Sequence, residues 1–140
     1  FYSETVWGNL DYLFVDMPPG TSDIQLTVLN NIPLTGVVMV SSPQDLVSMV
    51  VSKCVNMVNK VNVPIVGIIE NMVYVKCPCC GKKIDLYGKS HLNDISLKHH
   101  LIPLASLGID SHLTELMDSG NIEEYDTNDL DVAIEQIKLL

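Results

Sequence analysis

Uninterrupted apolar runs, separated by stretches with helical periodicity, most constrain what this chain can fold into. Leu10 to Val15 is a short apolar run ending at Asp16, and Pro18-Pro19-Gly20 then forbids its continuation as a strand. Gly36 to Val40 and Ile65 to Ile69 repeat the pattern, closed by Ser41-Ser42 and by Glu70-Asn71. Leu101 to Leu107 reads as a fourth strand. Helix signals lie between them. Ser22 and Gln25 form a capping box, Ile24, Leu26, Val28 and Leu29 supply apolar surface, and Asn30-Asn31-Ile32-Pro33 ends that helix. Ser42-Pro43-Gln44-Asp45 offers a cap, a proline at the first helical position and early negative charge. The next helix carries Leu46, Val50, Cys54, Met57 and Val61 at helical spacing, with Val47, Val51, Val55 and Val58 beside them. Ser111 to Asp118 predicts a short helix stopped by Gly120, and Leu130, Ala133, Ile134 and Ile137 give a closing helix one apolar face. Apolar strands alternating with helices imply an α/β fold, a mostly parallel sheet with helices on both faces. Ligands in such sheets bind beyond the carboxyl ends of the strands, so Asp16, Ser41-Ser42 and Asn71 are expected on one rim.

Composition narrows the partners. Seventeen acidic residues stand against eight lysines and no arginine, a net charge of −9, which excludes a surface built for a nucleic-acid backbone. The chain has 140 residues, enough for one domain with a real core. No apolar run reaches membrane-spanning length and no signal peptide opens the sequence. The expectation is a cytoplasmic protein with neither membrane nor nucleic acid as partner. Phe1 falls within what reads as the end of another element, so the chain reads as a fragment of something longer.

Cys77-Pro78-Cys79-Cys80 packs three thiols into four residues, flanked by Lys76, Lys82 and Lys83. Thiols at this spacing hold a metal or run redox chemistry, and the outer pair is half of the four that a zinc or iron–sulfur site requires. The remaining cysteine, Cys54, lies on a helical apolar stripe and reads as a small core residue. The missing half must come from histidines (His91, His99, His100 or His112), from another protein, or from a second copy of this chain. The flanking lysines favour thiolate over thiol, or simply solubilise a loop.

Asp16 at the end of an apolar run has the placement of a Walker B carboxylate, which holds the water shell of a nucleotide's Mg²⁺. Two prolines stiffen the turn behind it, and Gly20 lets a backbone amide approach a ligand, for which a γ-phosphate is the natural candidate. Gly88-Lys89-Ser90 is not a Walker A motif, because that loop needs a glycine where Lys83 stands.

The string Trp7-Gly8-Asn9-Leu10-Asp11-Tyr12-Leu13-Phe14-Val15-Asp16-Met17-Pro18-Pro19-Gly20-Thr21-Ser22-Asp23 closely resembles the switch II segment of the Mrp family, the ApbC-like P-loop ATPases that carry iron–sulfur clusters. Val40-Ser41-Ser42-Pro43-Gln44, Gly67-Ile68-Ile69-Glu70-Asn71-Met72 and Cys77-Pro78-Cys79-Cys80-Gly81 follow in the family's order, and the likeness continues to about Gly120. The resemblance implies a deviant-Walker P-loop NTPase domain of which residues 1–140 are the C-terminal portion, with a cysteine loop at about 72–90 and the P-loop part absent. It implies Asp16 in the Mg²⁺ shell, Gly20 near the γ-phosphate, and Asn71 at the adenine edge of ATP. It further implies Cys77 and Cys80 as ligands of a 4Fe–4S cluster shared by a homodimer and passed to apo iron–sulfur proteins. ATP hydrolysis would belong to the full-length protein, and the chain without a Walker A would lack it. Cys79, a third thiol, has no assigned part. Two rival readings remain: a structural zinc scaffold using the same thiols, and a partitioning or site-positioning ATPase that shares Asp16 and Asn71 but has no use for the cysteines.

Overall fold

The computed structural model describes residues 2–140; Phe1 and the Asp45 side chain, the early negative charge expected of a helix, lie outside the described part. In chain order the elements are α1 (Asp23–Asn31), β1 (Val37–Ser41), α2 (Asp45–Lys60), β2 (Ile65–Glu70), β3 (Val75–Lys76), β4 (Lys83–Ile84), α3 (Leu92–His99), β5 (Pro103–Ser106), α4 (Ser111–Ser119) and α5 (Asp131–Lys138). Two short 3-10 turns, Ile122–Glu124 and Asn128–Leu130, join α4 to α5. β1, β2 and β5 form a parallel sheet with β2 in the centre, and β3 with β4 forms a separate antiparallel hairpin.

The register explains how one strand serves two cores. Val37 pairs with Ile65 but Val38 with Gly67, so Val66 is an extra residue on β2. Such a bulge moves the side-chain alternation by one position. Ile68 then faces Leu29, Met39, Val51, Val55, Leu92 and Ile95 on the side covered by α1, α2 and α3. Val66 faces Leu104 and Ala133 on the side covered by α5. At Gly67 a Cβ would collide with the Ile102 carbonyl and the Leu104 side chain, so the close approach of β2 to the β5 chain requires glycine there.

Two expectations differ from the structure. Residues 10–15 form no strand. None of residues 2–22 joins the sheet, and Leu10, Tyr12, Leu13, Phe14 and Val15 are all exposed, Phe14 at 73%. Stacked Tyr12 and Phe14 rings, 6.3 Å apart, keep the side-by-side spacing of an extended chain. A strand, however, needs a neighbour to take its N–H and C=O groups, and this run has none among the described residues. The sheet therefore has three parallel strands rather than four. The second difference lies at α2, which starts from Gln44 as its N-cap, so Ser42 is not the cap and Pro43 is not the first helical residue. Pro43 is instead fully buried, and a proline disfavours the helical conformation at the residue before it, here Ser42. No helix among the described residues is long and apolar enough to cross a membrane.

Candidate functional site

Ser41 and Asn71 meet at the carboxyl ends of β1 and β2. The Asn71 N–H donates to the Ser41 carbonyl at 2.8 Å, and Ser41 Oγ lies 3.5 Å from the Ile69 carbonyl. Asn71 Oδ1 accepts the Met72 N–H at 2.8 Å as the chain turns through a left-handed Met72 (φ 59°). The amide side chain is thus half-buried and locally braced at the end of the central strand.

The Asp16–Gly20 turn is held elsewhere. Gly20 sits at φ 95°, a conformation that a side chain makes costly. Its carbonyl accepts the Cys54 thiol at 3.2 Å. Burial pushes the Cys54 pKa up, which keeps the sulfur protonated as a donor. Cys54 is therefore more than core filling, since it fastens the turn to α2. Gln25, 3% exposed, completes the anchorage: its Nε2 donates to the Pro18 carbonyl, and its Oε1 accepts the Ser22 N–H at 2.8 Å and the Ser22 hydroxyl. The capping-box glutamine expected at Gln25 is present. Asp16 itself is exposed and follows no strand. Cys54 lies nine residues into α2, about 14 Å along its axis from the end beside β1. The structure joins Ser41 and Asn71 at the rim, while the Gly20 carbonyl is fastened to Cys54 partway along α2. Among the described residues no hydrogen bond joins the two groups.

The thiols crown the β3–β4 hairpin. Val75 pairs with Ile84 and Lys76 with Lys83; the Cys77 N–H donates to the Lys82 carbonyl, and the Gly81 N–H to the Cys77 carbonyl, each at 2.9 Å. This tight turn aims the backbone amides of Cys79 and Cys80 at the Cys77 sulfur and lowers its pKa, with a further contribution from the Cys80 side chain. Cys77 is half-buried, Cys79 and Cys80 are exposed, and all the cysteines are free. Lys83 is committed to packing, its Nζ 3.9 Å above the Tyr74 ring. Lys76 and Lys82 remain exposed beside the turn.

Paired thiols with amide donors on one sulfur suit a soft metal or iron–sulfur cargo. Among the described residues no group of three or more His, Cys, Asp or Glu is arranged around a metal position. Three of the four histidine rings have contacts elsewhere: His99 Nε2 lies 2.8 Å from Ser52 Oγ, His91 Nδ1 lies 4.0 Å from Asp94 Oδ2, and the His112 ring packs against Tyr125 at 6.5 Å.

Glu70 is the residue that pattern reading passed over. It has no exposed surface, its Oε1 accepts the His91 N–H at 3.0 Å, and its Oε2 accepts the Ser90 hydroxyl. The signal available in the sequence was a carboxylate closing a buried β run. Ser90, the last residue of the misleading Gly88-Lys89-Ser90 string, is thereby accounted for as a partner of Glu70.

Residues 1–138 match the model of the NUBPL iron-transfer P-loop NTPases. An iron-sulfur cluster carrier protein of Clostridium perfringens is 45% identical over 124 residues, covering 89% of this chain and 43% of the relative. The iron-sulfur cluster transfer protein NUBPL of Mus musculus is 42% identical over 114 residues, covering 81% of this chain and 36% of the relative. A nucleotide-binding protein of Archaeoglobus fulgidus, solved in complex with ADP, superposes with a TM-score of 0.80 at 39% identity, covering 89% of this chain and 51% of that one. The chain thus spans less than half the length of these two curated relatives. Its parallel sheet, its helix-covered faces and its match over nearly every residue establish that this chain belongs to the family of NUBPL iron-transfer P-loop NTPases.

Proposed function

We propose that this chain is the C-terminal portion of a single P-loop NTPase domain, with its cysteine loop at residues 72–90, in a cytoplasmic iron–sulfur cluster carrier. Two copies would hold a 4Fe–4S cluster as cargo through Cys77 and Cys80 of each and pass it to apo iron–sulfur proteins. The observation that carries this reading is a turn with two outer thiols, one of them stabilised as thiolate by backbone amides, and no third ligand arranged around them in the described residues. A site divided between copies suits cargo that must leave, because separation of the copies opens it. In the full-length protein ATP with Mg²⁺ would be bound and hydrolysed, the metal supplying charge neutralisation at the phosphates. Asp16 would hold the Mg²⁺ water shell, the Gly20 backbone would approach the γ-phosphate, and Asn71 would read the adenine edge. Those roles require the Asp16–Gly20 turn to stand at the Asn71 rim, with bound nucleotide ordering it there.

Anaerobic reconstitution of the full-length protein with iron and sulfide tests the cargo. The expected product is brown, with about four irons per dimer. Cys77→Ala or Cys80→Ala abolishes it without loss of nucleotide binding, whereas Cys79→Ala retains it. Full reconstitution of either outer variant overturns the ligand assignment. A colourless protein holding tight stoichiometric zinc favours the scaffold reading. Asp16→Ala is expected to impair Mg²⁺-dependent hydrolysis and leave the cluster in place.

A further inference from the structure

The wholly buried carboxylate of Glu70 has no part in the roles above, yet it stands where the two candidate sites meet. Asn71 follows it directly and is tied by its N–H to the end of β1. From Met72 the chain leaves the sheet, builds the thiol hairpin, and returns at Ser90. The outgoing arm is laid along the chain after β5: the Val73 N–H donates to the Leu107 carbonyl at 2.9 Å, and the Ile109 N–H to the Tyr74 carbonyl at 2.7 Å. The Leu107 N–H in turn donates to the Glu70 carbonyl at 2.8 Å. The returning arm is held by the Glu70 side chain, through the Ser90 hydroxyl and the His91 N–H. Ser90 Oγ also lies 3.3 Å from the Leu92 N–H at the start of α3, so the arm enters a helix whose Leu92 and Ile95 are core residues.

Glu70 therefore stands at the root of both arms: its carbonyl is bonded to Leu107, whose own carbonyl holds the outgoing arm, and its carboxylate holds the returning one. A buried carboxylate is costly unless its acceptor capacity is used, and here it is used on the hairpin's root. Gly88 (φ 96°) and Lys89 stand immediately before the clamp, where an untethered loop could absorb movement. We infer that Glu70 is a positioning residue that, with Ser90, ties the thiol hairpin to the strand end bearing Asn71, so that nucleotide bound at that strand end changes the presentation of Cys77 and Cys80. This inference rests on the nucleotide and thiol roles proposed above. A rigid tie transmits a small shift that a slack loop would dissipate.

The test is the rate at which iodoacetamide alkylates Cys77 and Cys80 in the cluster-free full-length protein, with and without ATP and Mg²⁺. The wild type is expected to show a nucleotide effect of at least about fivefold, the lower end of ordinary coupling between sites. Ser90→Ala is expected to reduce it to less than about twofold with nucleotide affinity unchanged, and Ser90→Thr, which keeps the hydroxyl, to restore it. Glu70→Gln should behave as Ser90→Ala does; if it fails to fold, the Ser90 pair decides. A merely structural clamp would raise alkylation equally in both states and leave the ratio intact. Ratios unchanged in Ser90→Ala overturn the positioning role and leave the nucleotide reading standing. A wild type that binds ATP without any change at the thiols also overturns it. A full-length protein that binds no nucleotide overturns the underlying reading and this inference together.

Discussion

Cys77 illustrates how much a single sulfur owes to its backbone. The β3–β4 turn directs the amides of Cys79 and Cys80 at it, and those donors favour the thiolate. The folded-state pKa lies below the ordinary 9.0, so the reactive form persists as pH falls from that value. With the other three cysteines replaced by serine, alkylation of Cys77 is expected to reach half its limiting rate at a lower pH in the native protein than in urea. A native midpoint no lower than the unfolded one would mean the amides do not face the sulfur. The residue types at this turn were legible in the sequence; the direction of its amides was not. Glu70 was illegible for a related reason. Its partners Ser90 and His91 lie twenty residues away, and no local pattern announces that the chain returns to them.

At the scale of the element, α2 carries two apolar stripes and periodicity alone does not choose between them. Val51, Val55 and Val58 are buried, whereas Leu46 is 74% exposed and Val50 42%. The sheet decides the rotation: the buried stripe packs on Met39 and Ile68, while Cys54 on the other stripe reaches the Gly20 carbonyl. Val55→Ala is expected to cost about 2 kcal/mol, from two lost methyl groups and a residual cavity, whereas Leu46→Ala should change stability by less than about 0.5 kcal/mol. Urea denaturation of both variants measures the contrast, and equal losses would contradict the burial of one stripe. Two helix ends were legible from local chemistry, since Gly120, left-handed at φ 75°, stops α4 and Ser22 with Gln25 caps α1, whereas burial of Pro43 moved the start of α2 past the Ser42-Pro43 signal to Gln44.

For the whole molecule the open feature is the edge of the sheet. β1 has β2 on one side and no strand on the other among the described residues, and Val40 on it is 63% exposed. The unpaired apolar run at 10–15 adds to the exposed surface. Free edges of this kind recruit other chains, and an edge lysine blocks them. Val40→Lys is therefore expected to lower concentration-dependent association of the 140-residue chain in sedimentation velocity without loss of helicity. Association unchanged in that variant would show that another surface is responsible. The sequence by itself determined the α/β class, the residue types of the thiol turn, and three parallel strands read at 36–40, 65–69 and 101–107 that the structure places at 37–41, 65–70 and 103–106, because periodicity and turn residues act over a few positions. Tertiary structure alone decided that residues 10–15 form no strand, that Gly20 rests on Cys54, and that Glu70 clamps the hairpin. A ladder, a thiol donor and a buried carboxylate each need a partner distant in sequence, and only the assembled fold supplies or withholds it.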